Sequence, residues 1–201
     1  MTAVRKLPPR PMTVAEFLDW DPGDGQSERW ILRDGVPEMM SPASDRHSVI
    51  QARLAYLLIG HLERQGSSCW VGTAPGIVPA QRSDINMLSP DLGVTCEPVG
   101  RSHDMAKPVA LFEILSPSNH AETRANVRAF TTIPSLIEIV ILHTSRIAAE
   151  MFRRHSDGTW SEQPEFLGPD DALRLDSIGY EAPLRDAYRT AGIANEAEAR
   201  Q

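Results

Sequence analysis

The 201 residues suffice for one domain with its own core, and the balance of 41% hydrophobic and 23% charged residues is typical of a globular protein. The formal net charge of −7 argues against a protein whose whole surface binds nucleic acid, since such proteins usually carry a basic excess. A local basic groove is still compatible with this charge.

No apolar run approaches the ~18 residues of a membrane span, and residues 1–12 lack the apolar stretch of a secretory signal. The two cysteines, Cys69 and Cys96, show neither a metal-binding spacing nor a disulfide framework. We therefore expect two buried, reduced thiols in a cytoplasmic protein without a membrane segment.

The first third of the chain predicts an arm, a short helix, a hairpin and a long helix. Residues 1–12 are proline-rich and basic, which predicts an arm with little structure of its own. Thr13 and Glu16 have the spacing of a capping box, and Asp34-Gly35 between two apolar stretches predicts a β-hairpin. The long helix ends at Gln65-Gly66, and its apolar stripe has three- and four-residue spacing: Val49, Ile50, Leu54, Leu57, Leu58 and Leu62.

The rest of the chain predicts strands joined by one helix and a second hairpin. Residues 109–115 and 136–142 are almost entirely apolar, as in central strands covered on both faces, and a helix from Ser118 or Asn119 to about Phe130 joins them. Further elements are strands at 69–71, 76–78, 91–96 and 173–175, a hairpin of 147–153 with 160–162 around Asp157-Gly158, and a helix at 183–188. This order predicts a mixed α/β fold, with one domain over 13–190 and a tail over 191–201.

Two acidic residues lie where adjacent strands could bring them together. Asp91 follows Pro90 and opens one predicted strand, whereas Glu113 lies inside an apolar one. An aspartate after proline is common in turns, but an unpaired carboxylate buried in an apolar strand is costly and therefore suggests a function. Mg²⁺ prefers oxygen ligands and keeps several waters, so two carboxylates can hold it. Such an ion could promote attack of water on a phosphodiester.

Several motifs in fixed order resemble one known family. They are Asp34-Gly35 after a strand, Ser41-Pro42 before the helix that carries His47, Pro90-Asp91, the run from Glu113 to Ser118, and 132–136. Together these segments resemble the Uma family of bacterial restriction endonucleases over residues 12–190. The resemblance implies a restriction-endonuclease-like core of the PD-(D/E)XK type with flanking helices and an N-terminal hairpin.

The resemblance also implies roles for individual residues. Asp91 and Glu113 match the metal ligands of the family, with Mg²⁺ or Mn²⁺ as cofactor. Position 115, where the wider fold has a lysine, is leucine here, and many family members supply a lysine from the next helix instead. The matching position is Asn126, and no lysine follows Lys107. Asparagine cannot act as a general base.

The first hairpin departs from the family in a second way. Many relatives carry glutamates on either side of the Asp-Gly turn, where this chain has Ile31 and Val36. Glu28 and Glu38 lie close by in sequence. A shift by an odd number of residues would place a side chain on the opposite face of the strand.

Four further residues are candidates for the site. Arg124 and Arg128 lie one helical turn apart and could hold a phosphate, or could form a solvated face. His47 could reach the site from the facing helix, or could be solvated or capping. Glu122 could be a catalytic acid, but its spacing of three from Asn119 favours a capping box.

These observations predict a metal-dependent endonuclease that hydrolyses phosphodiester bonds in nucleic acid, with DNA as the expected partner. By analogy with other members of the fold, we expect a homodimer. The alternative is a catalytically degenerate member of the fold that binds nucleic acid or a protein. The missing lysine and the acidic net charge favour this alternative, whereas the retained Asp91 and Glu113 oppose it.

Overall fold

The computed structural model of the chain describes residues 10–21, 29–117 and 119–193. Three α-helices, ten strands and one 3-10 helix occur in these ranges. The helices are α1 (Val14–Leu18), α2 (Asp45–Arg64), α3 (His120–Phe130) and the 3-10 helix Leu184–Tyr188. The strands are β1 (Trp30–Arg33), β2 (Val36–Met39), β3 (Trp70–Thr73), β4 (Leu92–Thr95), β5 (Pro108–Leu115), β6 (Glu138–His143), β7 (Ala149–Arg153), β8 (Glu165–Leu167), β9 (Ala172–Leu175) and β10 (Tyr180–Pro183).

The central sheet has six strands in the order β3-β4-β5-β6-β7-β8. Only the β5–β6 pair is parallel, because α3 carries the chain back between these two strands, whereas the other four pairs are antiparallel. Two separate hairpins, β1–β2 and β9–β10, accompany the sheet. The predicted mixed α/β fold is therefore confirmed.

Helices cover both faces of this sheet. Alternate side chains of β5 point to opposite faces, so Phe112 and Ile114 pack in one core cluster with α2, while Leu111 packs in another with α3. Both clusters consist of fully or nearly fully buried aliphatic and aromatic side chains. This double burial explains why β5 is apolar along almost its whole length.

The N-terminal elements match their prediction closely. Thr13 and Glu16 form the expected capping box of α1. The first hairpin turns at Asp34 and Gly35, whose φ angles of 50° and 79° are those of a tight two-residue turn. Most of the predicted arm lies outside the described residues, but its last residue, Met12, is buried against the hairpin residue Leu32. The predicted division into arm, domain and tail stays a prediction.

Other elements differ from the prediction. In the predicted strand 76–78, Gly76 and Ile77 form only isolated bridges. Residues 160–162 contribute one bridge, from Trp160 to Arg154, and β7 pairs instead with β8. The strand β10 was not predicted, and the last helix is a 3-10 helix. In each case a short segment lacks the apolar periodicity that reveals longer elements.

The cysteine prediction was wrong. Cys69 and Cys96 form a disulfide, and Cys96 is exposed rather than buried. The two residues flank the Trp70–Thr95 pair of β3 and β4, which places them opposite each other across the two strands. Disulfides are rare in the cytosol, so the expected cytoplasmic location loses the support of reduced thiols and stays a prediction. Within the described ranges, no helix is both long and apolar enough to cross a membrane.

Candidate active site

A cavity of about 840 Å³ lies where the first hairpin, the start of α2, the start of β4, the middle of β5 and α3 meet. Among the described residues, its lining has four carboxyl groups and one arginine, Arg29, so acidic groups predominate. Its polar and charged side chains include those of Arg29, Glu38, His47, Gln51, Asp91, Glu113, Glu122 and Asn126.

Strand pairing brings Asp91 and Glu113 to neighbouring positions. Leu92, the first residue of β4, pairs with Phe112 of β5 in an antiparallel register, so the residue just before β4 lies opposite the residue that follows Phe112 on β5. These residues are Asp91 and Glu113, and both line the cavity. The sequence-based expectation that the two carboxylates approach each other agrees with this geometry, while their role as metal ligands stays a prediction.

Asp91 is held by four hydrogen bonds, from α2, from β5 and from the residue that follows β3. Its Oδ2 accepts from the backbone N–H of Ile114 at 2.6 Å, and its Oδ1 lies 2.7 Å from Nε2 of His47. Its backbone carbonyl accepts from Gln51 Nε2 at 2.7 Å and from the N–H of Ala74 at 2.9 Å. The carboxylate is therefore fixed in position before any ligand arrives.

Glu113 is a buried acid beside another acid. Its exposed fraction is 5%, and burial, together with the nearby negative charge of Asp91, raises the pKa of its carboxyl well above the usual range. Among the described residues, the hydrogen bond to the Glu113 carboxyl comes from a neutral amide. Asn126 Nδ2 donates to Glu113 Oε1 at 2.9 Å. A cation placed between Asp91 and Glu113 would relieve this unfavourable arrangement.

Asn126 is thus close to the predicted site, and Arg33 is a residue that the sequence did not reveal. Arg33 Nη2 donates to Asn126 Oδ1 at 3.0 Å, and the sequence separation of the two residues is 93. The only available signal was alternation along β1, which places Arg33 on the same face as Ile31, a residue of the cavity lining.

The first hairpin contributes one acidic side chain, that of Glu38, to the cavity lining. Glu38 pairs with Ile31 across β1 and β2 and lines the cavity, whereas Val36 is exposed. Its Oε2 accepts from Arg33 Nε at 3.0 Å. Glu28, the other acid near this turn in sequence, lies outside the described residues.

Arg124 lies between α3 and the sheet. Its Nη1 and Nη2 each donate to Glu150 at 2.6 Å, and this buried glutamate also accepts from His143 at 3.0 Å. Burial lowers the pKa of His143 despite the neighbouring carboxylate, so the neutral ring donates through Nε2. Neither Arg124 nor the exposed Arg128 belongs to the described cavity lining. Their contact with a phosphate stays a prediction.

The Arg124–Glu150 pair predicts an acid-dependent loss of stability. Burial raises the pKa of Glu150, but the hydrogen bonds from Arg124 and His143 and the charge of Arg124 outweigh this effect, so the pKa is lowered overall. A lowered carboxyl pKa stabilises the fold above the pKa of the unfolded state, and this stabilisation disappears as the pH falls. We expect Glu150→Gln to cost about 1–3 kcal/mol at neutral pH and progressively less below about pH 4.3.

Urea unfolding across this pH range measures the effect. Glu162→Gln makes the same charge change at an exposed position, and its unfolding free energy should differ little from that of the wild type at any pH. A Glu150→Gln penalty that stays constant as the pH falls would contradict the assignment.

The capping role predicted for Glu122 was wrong. The Asn119 side chain makes no hydrogen bond that caps α3; it accepts from the N–H of Ser116 at 2.7 Å and donates to the carbonyl of Ile114 at 3.2 Å. Glu122 instead lines the cavity, with its Oε1 3.7 Å from Arg33 Nη2. The alternative cap, Ser118, lies outside the described residues.

The residues present fit a magnesium-type ion better than a zinc-type ion. Among the described residues, no three histidine, cysteine or acidic side chains converge as a closed metal site would require. Mg²⁺ and Mn²⁺ need fewer protein ligands, because water and substrate oxygens complete their coordination. Two prepositioned carboxylates, one of them buried, satisfy that need.

Comparison with known proteins agrees with the fold and with the family. A solved structure from Anabaena variabilis, described as "a putative nuclease belonging to DUF820", superimposes with a TM-score of 0.70 over 90% of this chain and 99% of the other, at 14% identity. The two chains thus share one α/β fold. An uncharacterised protein of Synechocystis sp. is 29% identical over 181 residues, which cover 89% of this chain and 92% of the relative.

The family model "Uma2: Putative restriction endonuclease" matches residues 14–185. The chain therefore belongs to the Uma2 family, and the resemblance found in the sequence is confirmed.

Proposed function

We propose that this protein is a divalent-metal-dependent nuclease that hydrolyses phosphodiester bonds, with DNA as its substrate. The observation that carries the proposal is the buried Glu113, paired in register with the fixed Asp91 at the wall of an open, acidic cavity. Buried acids with raised pKa values are concentrated at functional sites. The description of the family and that of the solved neighbour support a nuclease.

The roles of the chain's own residues follow from their contacts. Asp91 and Glu113 hold the ion, with Mg²⁺ or Mn²⁺ as the cofactor. A bound cation would offset the negative charge of the phosphate and would lower the pKa of a coordinated water. His47 and the N–H of Ile114 orient Asp91, and Asn126 orients Glu113. Since every catalytic carboxylate repels a phosphate, binding of the substrate depends on this cation.

Cleavage of plasmid and single-stranded DNA, with and without Mn²⁺ or Mg²⁺, tests the proposal. We expect the wild type to cut only with metal, and Asp91→Asn to lose both cutting and most metal binding. Glu162→Gln, an exposed acid outside the cavity, should behave like the wild type. Metal-independent cutting, or cutting that survives in Asp91→Asn, would exclude the proposed site.

A second function has its own supporting observation. By the resemblance to the family, Asn126 matches the position where many members supply a lysine, and an amide cannot take a proton from water. Without a general base, this protein would bind nucleic acid or a protein but would not cut its partner. DNA binding without any cleavage, and without metal binding in calorimetry, would favour this function over the nuclease.

We also propose a homodimer in the cytoplasm, in which two sites face the two strands of one duplex. The proposal rests on the prevalence of two-fold assemblies in proteins and on the need to cut two strands. Light scattering of the purified chain, alone and with duplex DNA, measures the assembly directly.

A further inference from the structure

The amide of Asn126 links a cation to the proposed metal ligand. Its Oδ1 accepts from Arg33 Nη2 at 3.0 Å, and its Nδ2 donates to Glu113 Oε1 at 2.9 Å. A guanidinium can only donate and an ionised carboxylate can only accept. The two neighbours therefore select one of the two orientations of the amide, because the reversed amide would place like groups against each other at both ends.

Arg33 is itself held in place from two sides. Its Nε donates to Glu38 at 3.0 Å, and its Nη2 lies 3.7 Å from Glu122 Oε1. Its side chain is only 22% exposed. The backbone of the preceding residue, Leu32, donates one hydrogen bond to the backbone of Met87 and accepts one from it. A guanidinium fixed at both ends can impose its geometry on Asn126.

We infer that Arg33 is a positioning residue that orients the metal ligand Glu113 through the side-chain amide of Asn126. This inference rests on the proposed function and assigns a role to a hairpin residue that does not itself line the cavity. Within the described part of the chain, the only hydrogen bond to the Glu113 carboxylate is made at Oε1. The Asn126 bond therefore fixes the rotation of the carboxylate and leaves Oε2 for a metal ion.

Dependence on Asn126 separates positioning from simple electrostatics. The charge of Arg33 repels a cation but also favours the ionised form of Glu113, and neither effect requires Asn126. Positioning does require it, because without Arg33 the amide of Asn126 can turn its oxygen toward Glu113. Removal of groups that orient metal ligands typically costs about 10–100-fold in affinity.

The experiment is a double-mutant cycle with Mn²⁺ affinity, measured by calorimetry on the full chain, as its readout. We expect Arg33→Ala to weaken Mn²⁺ binding about tenfold in the wild-type background. In the Asn126→Ala background the same change should not weaken binding further, since the residue through which Arg33 acts is gone. Arg33→Lys retains the charge and a donor, and should bind Mn²⁺ more tightly than Arg33→Ala.

Controls separate the possible failures. Arg82→Ala removes another arginine that contacts the hairpin, through Asp34 at 2.8 Å, and should leave the affinity unchanged. If Arg33→Ala is poorly folded, Arg33→Met offers a longer apolar replacement for the same cycle. Equal effects of Arg33→Ala in both backgrounds, or tighter binding in both, would overturn the inference alone. A wild type that binds no Mn²⁺ would overturn it together with the proposed nuclease.

Discussion

Glu113→Gln is expected to abolish metal-dependent cleavage, with a loss on the order of 10³-fold in rate. Glutamine preserves the size of the side chain and can still accept the hydrogen bond from Asn126, but it lacks the negative charge that holds a cation. The stabilisation that a metal ion provides in such reactions amounts to several kcal/mol, and each ~1.4 kcal/mol corresponds to a factor of ten. Single-turnover cleavage with saturating Mn²⁺ measures the loss.

The same substitution should stabilise the metal-free protein. The pKa of Glu113 is raised by burial and by Asp91, so the folded state binds the proton more tightly than the unfolded state does. The unfolding free energy of the wild type therefore falls as the pH rises above the ordinary pKa of a glutamate, about 4.3. Glutamine does not titrate, and the advantage of Glu113→Gln should grow with pH.

Unfolding in urea with EDTA, at about pH 4 and pH 8, tests the predicted stabilisation of the metal-free protein. Glu162→Gln serves as the control in both assays, because its exposed side chain does not contribute to the cavity. Full activity in Glu113→Gln would remove this residue from the site. Reduced stability at high pH would show that its carboxylate has a structural partner instead.

Glu138→Ala is expected to lower the unfolding free energy by about 3–5 kcal/mol, the largest effect outside the cavity. The side chain is fully buried, and its Oε1 accepts from Arg153 Nη1 at 2.8 Å and from the N–H of Asp176 at 2.6 Å. Its Oε2 accepts from the hydroxyl of Ser177 at 2.5 Å. Removal would leave these donors without their acceptor and would release the β9–β10 turn from the sheet.

Glu165→Ala is a closely matched control for this prediction. Glu165 contacts the same Arg153, with the shortest oxygen–nitrogen distance at 3.6 Å, but its side chain is 56% exposed. Exposed ion pairs contribute roughly 0–1 kcal/mol, so the midpoint of urea unfolding should shift little. Similar shifts in the two variants would show that burial of Glu138 does not determine its contribution.

Three buried glutamates show what the sequence can predict about function and what it cannot: Glu113, Glu138 and Glu150. All three are acids in largely apolar strands, and the cost of burial that suggested a function for Glu113 applies equally to the other two. The structure shows that Glu138 and Glu150 are satisfied by arginines, whereas Glu113 meets an amide at the cavity wall. The pattern identifies buried acids, but only their partners separate structure from function.

Sequence patterns predicted the structural features that depend on interactions between residues close together in the chain. The Thr13 capping box, the Asp34-Gly35 turn, α2 and β5 were all found, because capping, turn chemistry and apolar periodicity act over a few residues. The approach of Asp91 to Glu113 required only the pairing of adjacent strands.

Contacts between distant segments were not predictable in this way. The Cys69–Cys96 bond depends on the register of β3 against β4. Arg33 and Asn126 meet only because the hairpin packs beside α3, and no periodicity in the sequence encodes that placement. Glu122 shows the opposite error, since a motif with the right spacing was present but its side chain bonds elsewhere.

The distance along the chain between Arg33 and Asn126 also has a kinetic consequence. Contacts between residues so far apart form only after the chain has closed a long loop, and proteins rich in such contacts fold slowly. The Asp91–Glu113 pair similarly requires β4 and β5 to be in register. We therefore expect the cavity to assemble late during folding, so that Mn²⁺ binding in a refolding experiment appears with the last phase, after the helices have formed.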